Sequence, residues 1–503
     1  MRHLVVCCDG TWNTADQEKS GVPAPTNVRR LHNALAGQDR DGNDQVRYYH
    51  PGVGTGDVLD KAFGGALGIG LSANIQGAYH WLAGTFQPGD RISLFGFSRG
   101  AYTVRSLGGM IGTCGIVDFG DRGPDESWAL VESLYDRCYR ERDQKVLADL
   151  AFRCHPNDPV PIEFVGVWDT VGSLGIPDTL GLLNLLDPGD RHGFHDVTLN
   201  PAIPHGRHAM ALDELRGVFT PTPWKDPAPG QEIRQVWFPG CHSDVGGGYA
   251  ETGLSDGALR WMIDEATDAV GLRFRSEALA QLRPDPRGVL HDSWRGLYRK
   301  MTTRPRAVPL VHAGHPDPTV HSSAYSRQAD PPISHEHYRP TQVLAPGEHA
   351  TVPVYAGRPW NATGLYLVPD RYILTAEGEW LDAGVPATAD GASGVHPGRL
   401  LHLAGSVLGA GEGLIRKMTG NELAEMPLSR REDDLRWMEL VCIVANEAVD
   451  AGRDRPRRHQ RLRRDSEVDL SCPGYLYAFA NDAWAAYGNN RGSVRLTVTR
   501  SAG

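Results

Sequence analysis

The sequence predicts an α/β fold built on a mainly parallel sheet, followed by an all-β C-terminal part. Three observations lead there. Short apolar runs alternate with helix-period stretches over roughly the first half of the chain. One of these runs leads straight into a tight Gly-x-Ser-x-Gly turn at Gly96–Gly100. From about Thr351 onward the pattern changes to strand-like runs separated by turns.

In chain order, the N-terminal strand candidates are His3–Cys8, Gln45–His50, Arg91–Phe97, Ile162–Trp168 and Glu232–Pro239. Helical stretches fall at Asn27–Ala36 and Ala73–Phe86 between the first three. The segment from His208 to Arg216 also reads as helical, with Asp213 as a structural residue. Right-handed crossovers would line up all strand C-terminal ends along one edge, where such sheets bind ligands. Around Pro284–Pro346, Pro, Arg and His rise and periodicity fades, as in late loops leading into a linker. The C-terminal strand candidates are Thr351–Tyr355, Tyr372–Ala376, Glu439–Ala445, Gly474–Ala480 and Ser493–Thr499. An insert at about 385–434 contains a glycine-rich helical segment, Leu400–Ile415. The expected domains are therefore 1–340 and 351–503. The arginine-dense stretch Arg453–Arg464 reads as a solvated loop.

The chain has 503 residues and a formal net charge of −10, which gives no reason to expect a nucleic-acid partner. No apolar run approaches a membrane span. The run at Met1–Gly10 is too short for the core of a secretory signal. The expected location is cytoplasmic as synthesised, with signal-independent secretion as the alternative. The eight cysteines form no C-x-x-C pair, so free buried thiols are expected rather than a zinc knuckle.

Gly96-Phe97-Ser98-Arg99-Gly100 follows an apolar strand and precedes a helix-compatible run. A strand-to-helix turn this tight leaves no room for side chains at Gly96 and Gly100, and it exposes Ser98 above the sheet edge. The competing reading is a glycine turn whose serine merely caps the helix. A nucleophilic serine needs a base and an orienting acid, each placed after a later strand. His242, beyond Glu232–Pro239, is the expected base, and Asp169, just after Trp168, is its expected partner. Asp244 is the competing acid, although two residues from His242 it suits a turn better. An oxyanion needs two donors. These are expected from the Arg99 amide and from the Gly10 and Thr11 amides in Asp9-Gly10-Thr11-Trp12-Asn13. The alternative for that loop is a plain strand-end turn with Asp9 as a cap. Together these residues predict an α/β-hydrolase that needs no cofactor for hydrolysis.

Five motifs appear in order: Asp9-Gly-Thr-Trp-Asn, Gly52-Val-Gly-Thr, Gly96-Phe-Ser-Arg-Gly-Ala-Tyr, Trp168-Asp-Thr-Val-Gly and His242-Ser-Asp-Val-Gly-Gly-Gly-Tyr. Over roughly residues 1–330 the chain resembles the α/β-hydrolase domain of the type VI secretion phospholipase effector-like family, which is bacterial. The resemblance implies a lipase or phospholipase acting on acyl esters. Triad chemistry alone does not choose the leaving group, so an amidase or polyester depolymerase stays open. So does a non-catalytic glycan-binding scaffold on a decayed hydrolase fold.

Near the C-terminus, the loop between Gly474–Ala480 and Ser493–Thr499 is dense in oxygen-bearing side chains: Asp482, Asn489 and Asn490. Hard oxygen donors in a turn-rich loop suit Ca²⁺, whereas a metal-free turn between strands needs no ligand at all. The stretch is similar to the calcium loop of the PA-IL type galactophilic lectins, which are small β-sandwiches. That resemblance implies side-chain ligands at Asp482, Asn489 and Asn490, a carbonyl ligand at Ala486, and a glycan partner. The Ala376-x-Gly-x-Trp380 and Trp437–Asn446 segments fit the same family. The tyrosine whose carbonyl completes the lectin site has no counterpart, since Asp382 or Ala383 stands there.

Overall fold

Six segments of the N-terminal part pair side by side and run the same way. Across the sheet they are Glu232–Phe238, His205–Ala211, Ile162–Trp168, Arg91–Phe97, His3–Cys8 and Gln45–His50. A computed structural model of the chain describes residues 1–10, 18–19, 21–52, 66–171, 198–295, 299, 302–334, 337–392, 430–432, 434–446 and 459–502. Thr11, the 393–429 part of the insert with its glycine-rich segment, and residues 453–458 of the arginine-dense stretch lie outside the described residues.

The inner strands read as unbroken apolar runs because both of their faces are covered. Leu4 and Val6, Ile92 and Leu94, and Val165 and Val167 share one apolar cluster with the helices Ala66–Thr85 and Arg99–Cys114. Their neighbours Val5 and Cys7, Phe95 and Phe97, and Phe164 and Trp168 enter another with Asn27–Ala34 and Gly253–Val270. This is the period-two alternation of a strand, with each face meeting its own pair of helices. Local chemistry sets the ends of these helices. Thr26 caps Asn27–Ala34 by accepting the Arg29 N–H, and Gly271 ends Gly253–Val270 in a left-handed conformation.

The chain lays its second strand outside the first, then returns to build Arg91–Phe97 on the first strand's other side. The direction of winding therefore reverses between His3–Cys8 and Arg91–Phe97. At such a reversal the loops leave in opposite directions and open a crevice beyond the strand ends. Asp9–Gly10 and Ser98 stand at that point.

The chain divides into two units. The first comprises 1–214, 218–293 and 318–332; the second comprises 215–217, 294–317 and 333–503. A single cut near residue 340 misses this double crossing, because composition marks a change of pattern and not where a segment packs. The second unit holds two antiparallel sheets. One has the order Val385–Thr388, Glu379–Asp382, Arg491–Arg500, Asp370–Glu377 and Glu467–Leu470, with His349–Tyr355 also on Arg491–Arg500. The other has the order Asn361–Leu367, Gly474–Ala480, Leu440–Ala445 and His459–Leu462. One apolar cluster draws Leu374, Val494 and Leu496 from the first sheet and Leu365, Leu440 and Leu476 from the second.

Three segments depart from expectation. His205–Ala211 is a parallel strand and Asp213 follows it in a loop, so neither is helical. Its apolar residues mimic a helix period, but both of its edges are paired in the sheet. Val385–Thr388 is the second arm of a hairpin with Glu379–Asp382, not the start of an insert. Asn361–Leu367 is an unanticipated strand, its alternation broken by a register shift around Gly364. All eight cysteines are free. No helix among the described residues is long and apolar enough to cross a membrane.

Glycine at position 100 is a steric requirement: a Cβ there would collide with the backbone carbonyl of Cys8, which belongs to the sheet and cannot move aside. At Gly37 a Cβ would meet nothing within 4 Å. Gly100→Ala is therefore expected to lower the melting temperature by at least about 5 °C, while Gly37→Ala leaves it unchanged or slightly higher. Thermal denaturation of the two variants checks this, and equal behaviour would contradict the packing described.

Candidate active site

The rim of the sheet is held by backbone bonds that continue past the strand ends. The Ser98 N–H donates to Trp168 O at 3.1 Å, Asp169 N–H to Ala209 O at 2.7 Å, and Leu212 N–H to Phe238 O at 2.9 Å. Consecutive loops are thereby tied to one another before they diverge. Two residues of this rim, neither a glycine, sit at positive φ: Ser98 at 56° and Asp169 at 39°. Such conformations cost about 1–3 kcal/mol each and persist only where neighbouring bonds enforce them.

At Ser98 the cause is visible. The strand must turn into the helix Arg99–Cys114 within one residue. A Cβ on Gly96 would strike the Gly100 carbonyl, so the turn closes only with glycine at both positions. Ser98 precedes the helix but makes no side-chain cap bond, which argues against the reading of a serine that merely caps. The Arg99 amide is the first of the helix, where the helix dipole favours negative charge.

His242 and Asp169, 73 residues apart in the chain, meet directly: Nδ1 lies 2.6 Å from Asp169 Oδ2. The other carboxylate oxygen, Oδ1, accepts the Ala211 N–H at 3.0 Å. Asp169 is fully buried and His242 is 4 % exposed, so this pair is shielded from water and strong. The imidazole packs against two rings, Phe97 at 4.6 Å and Phe219 at 4.8 Å between centroids. Phe97 immediately precedes Ser98, so the same strand end that carries the serine also supports the histidine. Gly246 leaves the space that Phe97 fills, since a Cβ there would overlap its ring.

Asp244 does not compete for His242. Its carboxylate accepts the Cys241 N–H at 2.9 Å and lies 2.6 Å from His291 Nδ1. Asp213 likewise braces the loop, accepting the Gly240 N–H at 2.7 Å. Glu214 and His291 also reach this loop, Ser293 binds Glu214, and the sequence carried no sign of them. No motif contains them, and they come from parts of the chain distant from residue 242.

On the other side of Ser98, Asp9 is buried and binds three donors. Gly10 N–H reaches Oδ1 at 2.7 Å, while Thr26 Oγ1 and Tyr49 OH reach Oδ2 at 2.5 and 2.9 Å. The Gly10 amide is thus engaged by Asp9, as the strand-end-turn alternative holds. Burial pushes the Asp9 carboxyl up to about 6, against the opposing effect of these hydrogen bonds.

In the second unit the oxygen-bearing loop is partly assembled. Asn490 Nδ2 donates to Asp482 Oδ2 at 2.8 Å, and both residues are buried. Asn490 Oδ1 is buried with no hydrogen-bond partner among the described residues. Burial, and next the negative charge of Asp382, raise the Asp482 carboxyl to about 6. Asn489 is exposed, and the Ala486 carbonyl accepts the Asn489 N–H at 3.1 Å. No group of three or more His, Cys, Asp or Glu among the described residues is arranged to hold a metal. An orphaned amide oxygen beside a carboxylate nevertheless suits a hard cation.

Residues 2–265 match the family described as the type VI secretion system phospholipase effector Tle1-like catalytic domain. The chain belongs to this family. The matched span contains Ser98, Asp169 and His242. An uncharacterized protein of Saccharomyces cerevisiae is 31 % identical over 246 residues, covering 44 % of this chain and 33 % of the yeast protein. The chain thus spans about a third of that relative. The crystal structure of an uncharacterized protein from Pseudomonas aeruginosa aligns with a TM-score of 0.32 and 19 % identity, over 56 % of this chain and 49 % of that one.

Asp9 gives the site a pH signature. The folded chain takes up its proton near pH 6, whereas an unfolded aspartate does so near 3.8. Its contribution to stability is therefore full below about 3.8 and lost as pH rises through about 6. The stability of the protein relative to Asp9→Asn is expected to grow by of order 3 kcal/mol between pH 8 and pH 4. Urea unfolding of both at several pH values checks this, and a pH-independent difference would refute it.

Proposed function

We propose that the chain is a serine ester hydrolase of the lipase or phospholipase type, on an α/β-hydrolase fold. The observation that carries this reading is the shielded Asp169–His242 bond at the rim where Ser98 is held at positive φ with no cap bond. Membership of a phospholipase effector family supports an acyl ester of a phospholipid as the substrate.

In this reading Ser98 Oγ attacks the acyl carbonyl carbon and its proton passes to His242 Nε2. Asp169 keeps the Nδ1–H tautomer and stabilises the imidazolium that forms. Charge on the carbonyl oxygen is met by the Arg99 amide at the helix start. Thr11 and Gly10 are proposed for the second donor, with Gly10 leaving Asp9 as the oxyanion forms. His242 returns its proton to the departing alcohol, and water then repeats the sequence on the acyl-serine, releasing the acid and restoring Ser98. No cofactor enters. The family points to delivery by a type VI secretion system.

The second unit, with one core shared by two antiparallel sheets, is proposed as a lectin-like β-sandwich that contacts glycan or a similar surface. Asp482 and Asn490, with Asn489 and the Ala486 carbonyl, would hold Ca²⁺, supported by the unpartnered Asn490 Oδ1. The ion would supply a charge that binds neighbouring hydroxyl oxygens.

Two experiments test these readings. Ser98→Ala is expected to keep the melting temperature within a few degrees while lowering ester and phospholipid hydrolysis by at least about 10³-fold. It should also abolish labelling by a fluorophosphonate. Retained turnover, or labelling at another residue, would overturn the assignment. Calorimetric titration of the full chain with Ca²⁺ is expected to give binding that Asp482→Ala removes. No heat with the unaltered protein would remove the calcium proposal.

A further inference from the structure

The turn that carries His242 is gripped from behind by two buried carboxylates. Cys241 N–H donates to Asp244 Oδ2 at 2.9 Å, and His242 N–H donates to Glu214 Oε2 at 3.2 Å. Glu214 is 1 % exposed and Asp244 2 %. Each carboxylate is also bound from a third segment of the chain. His291 Nδ1 lies 2.6 Å from Asp244 Oδ1, and the His291 N–H donates to Asp244 Oδ2 at 3.0 Å. Ser293 Oγ donates to Glu214 Oε1 at 2.9 Å. The His291 ring lies flat on Tyr249, with centroids 3.7 Å apart and planes 12° apart, and its Nε2 is 3.3 Å from Glu251 Oε2.

We propose that His291 and Ser293 form a positioning brace for His242, acting through Asp244 and Glu214 on the backbone of residues 241 and 242. The proposal rests on the reading of His242 as the general base. The brace is assigned a positioning role and no part in proton transfer.

The physical case is one of tolerance. Asp169 holds the imidazole at Nδ1, and with His242 read as the base its ring keeps a productive aim only if the peptide at 241–242 does not rotate. Catalytic geometry of this kind fails with displacements near 1 Å. Buried carboxylates suit the task because they bind N–H groups strongly, but they stay charged in the interior only when fully compensated. His291 and Ser293 provide that compensation. Without them, the two buried carboxylates would be left under-compensated and would draw in water, and the backbone N–H of residue 241 or 242 would lose its fixed acceptor. Burial works against a proton on His291, yet the hydrogen bonds and charges of Asp244 and Glu251 prevail and raise its affinity for one.

The test uses the full chain with a p-nitrophenyl ester. His291→Phe keeps the stack on Tyr249 and the backbone N–H but has no side-chain donor for Asp244 Oδ1. It is expected to lower kcat about tenfold with KM within about twofold. His291→Asn places an N–H near the former Nδ1 and is expected to recover most of that loss. Ser293→Ala is expected to lower kcat a few-fold without changing KM. Should His291→Phe not fold, Ser293→Ala and Glu214→Gln carry the same expectation of lower kcat at constant KM. Unchanged kcat in the variants that fold would overturn the brace, as would equal losses in the Phe and Asn variants. Hydrolysis surviving in Ser98→Ala would instead overturn the underlying assignment of the triad.

Discussion

The N-terminal unit depends on a sheet that does not stop where its strands do. Bonds from Ser98 to Trp168 and from Asp169 to Ala209 carry the parallel ladder into the loops. Loop residues usually gain precision from side-chain contacts, which are soft. Here the backbone itself fixes where Ser98 and Asp169 start, so their positive φ angles are imposed by the most rigid part of the fold. The surrounding glycines follow from the same constraint. Gly96 and Gly100 let helix and strand approach, and Gly246 admits Phe97 beside His242.

Charge is distributed around this rim in an ordered way. Four buried carboxylates, Asp9, Asp169, Glu214 and Asp244, all accept backbone N–H groups at strand ends or in the turns beyond them. Asp169 also binds the His242 ring. The other three hold turns, and each has a further donor: Thr26 and Tyr49 for Asp9, Ser293 for Glu214, His291 for Asp244. Proximity to His242 in sequence was thus a poor guide to the carboxylate that binds its ring. Asp244 is two residues away and faces elsewhere, while Asp169 is 73 residues away and adjacent in space. A parallel sheet makes this usual, since neighbouring strand ends are separated by whole crossovers.

The second unit rests on a different principle, two antiparallel sheets that share one apolar cluster. Its loop at Asp482–Asn490 contains a carboxylate and an amide already hydrogen-bonded to each other, with one amide oxygen left over. Asn489 lies exposed on the same loop. Oxygen-rich composition alone does not distinguish a ligand from a surface residue, because the distinction is one of orientation.

Five of the six parallel strands were legible from apolar runs bounded by turn residues, and the Gly-x-Ser-x-Gly turn was legible because only glycine tolerates its contacts. His205–Ala211 was not, since His205, Arg207 and His208 break the apolar run that marks the other inner strands, although this one is buried as well. What the sequence by itself determined was local: which segments extend, where the chain must turn sharply, and which side chains stand at strand ends. Only the tertiary structure decided which strand lies beside which, and hence that Asp169 pairs with His242 while Glu214, Asp244, His291 and Ser293 close behind it. The reason is that such pairings depend on strand order and on the burial of charge, which no stretch of neighbouring residues records.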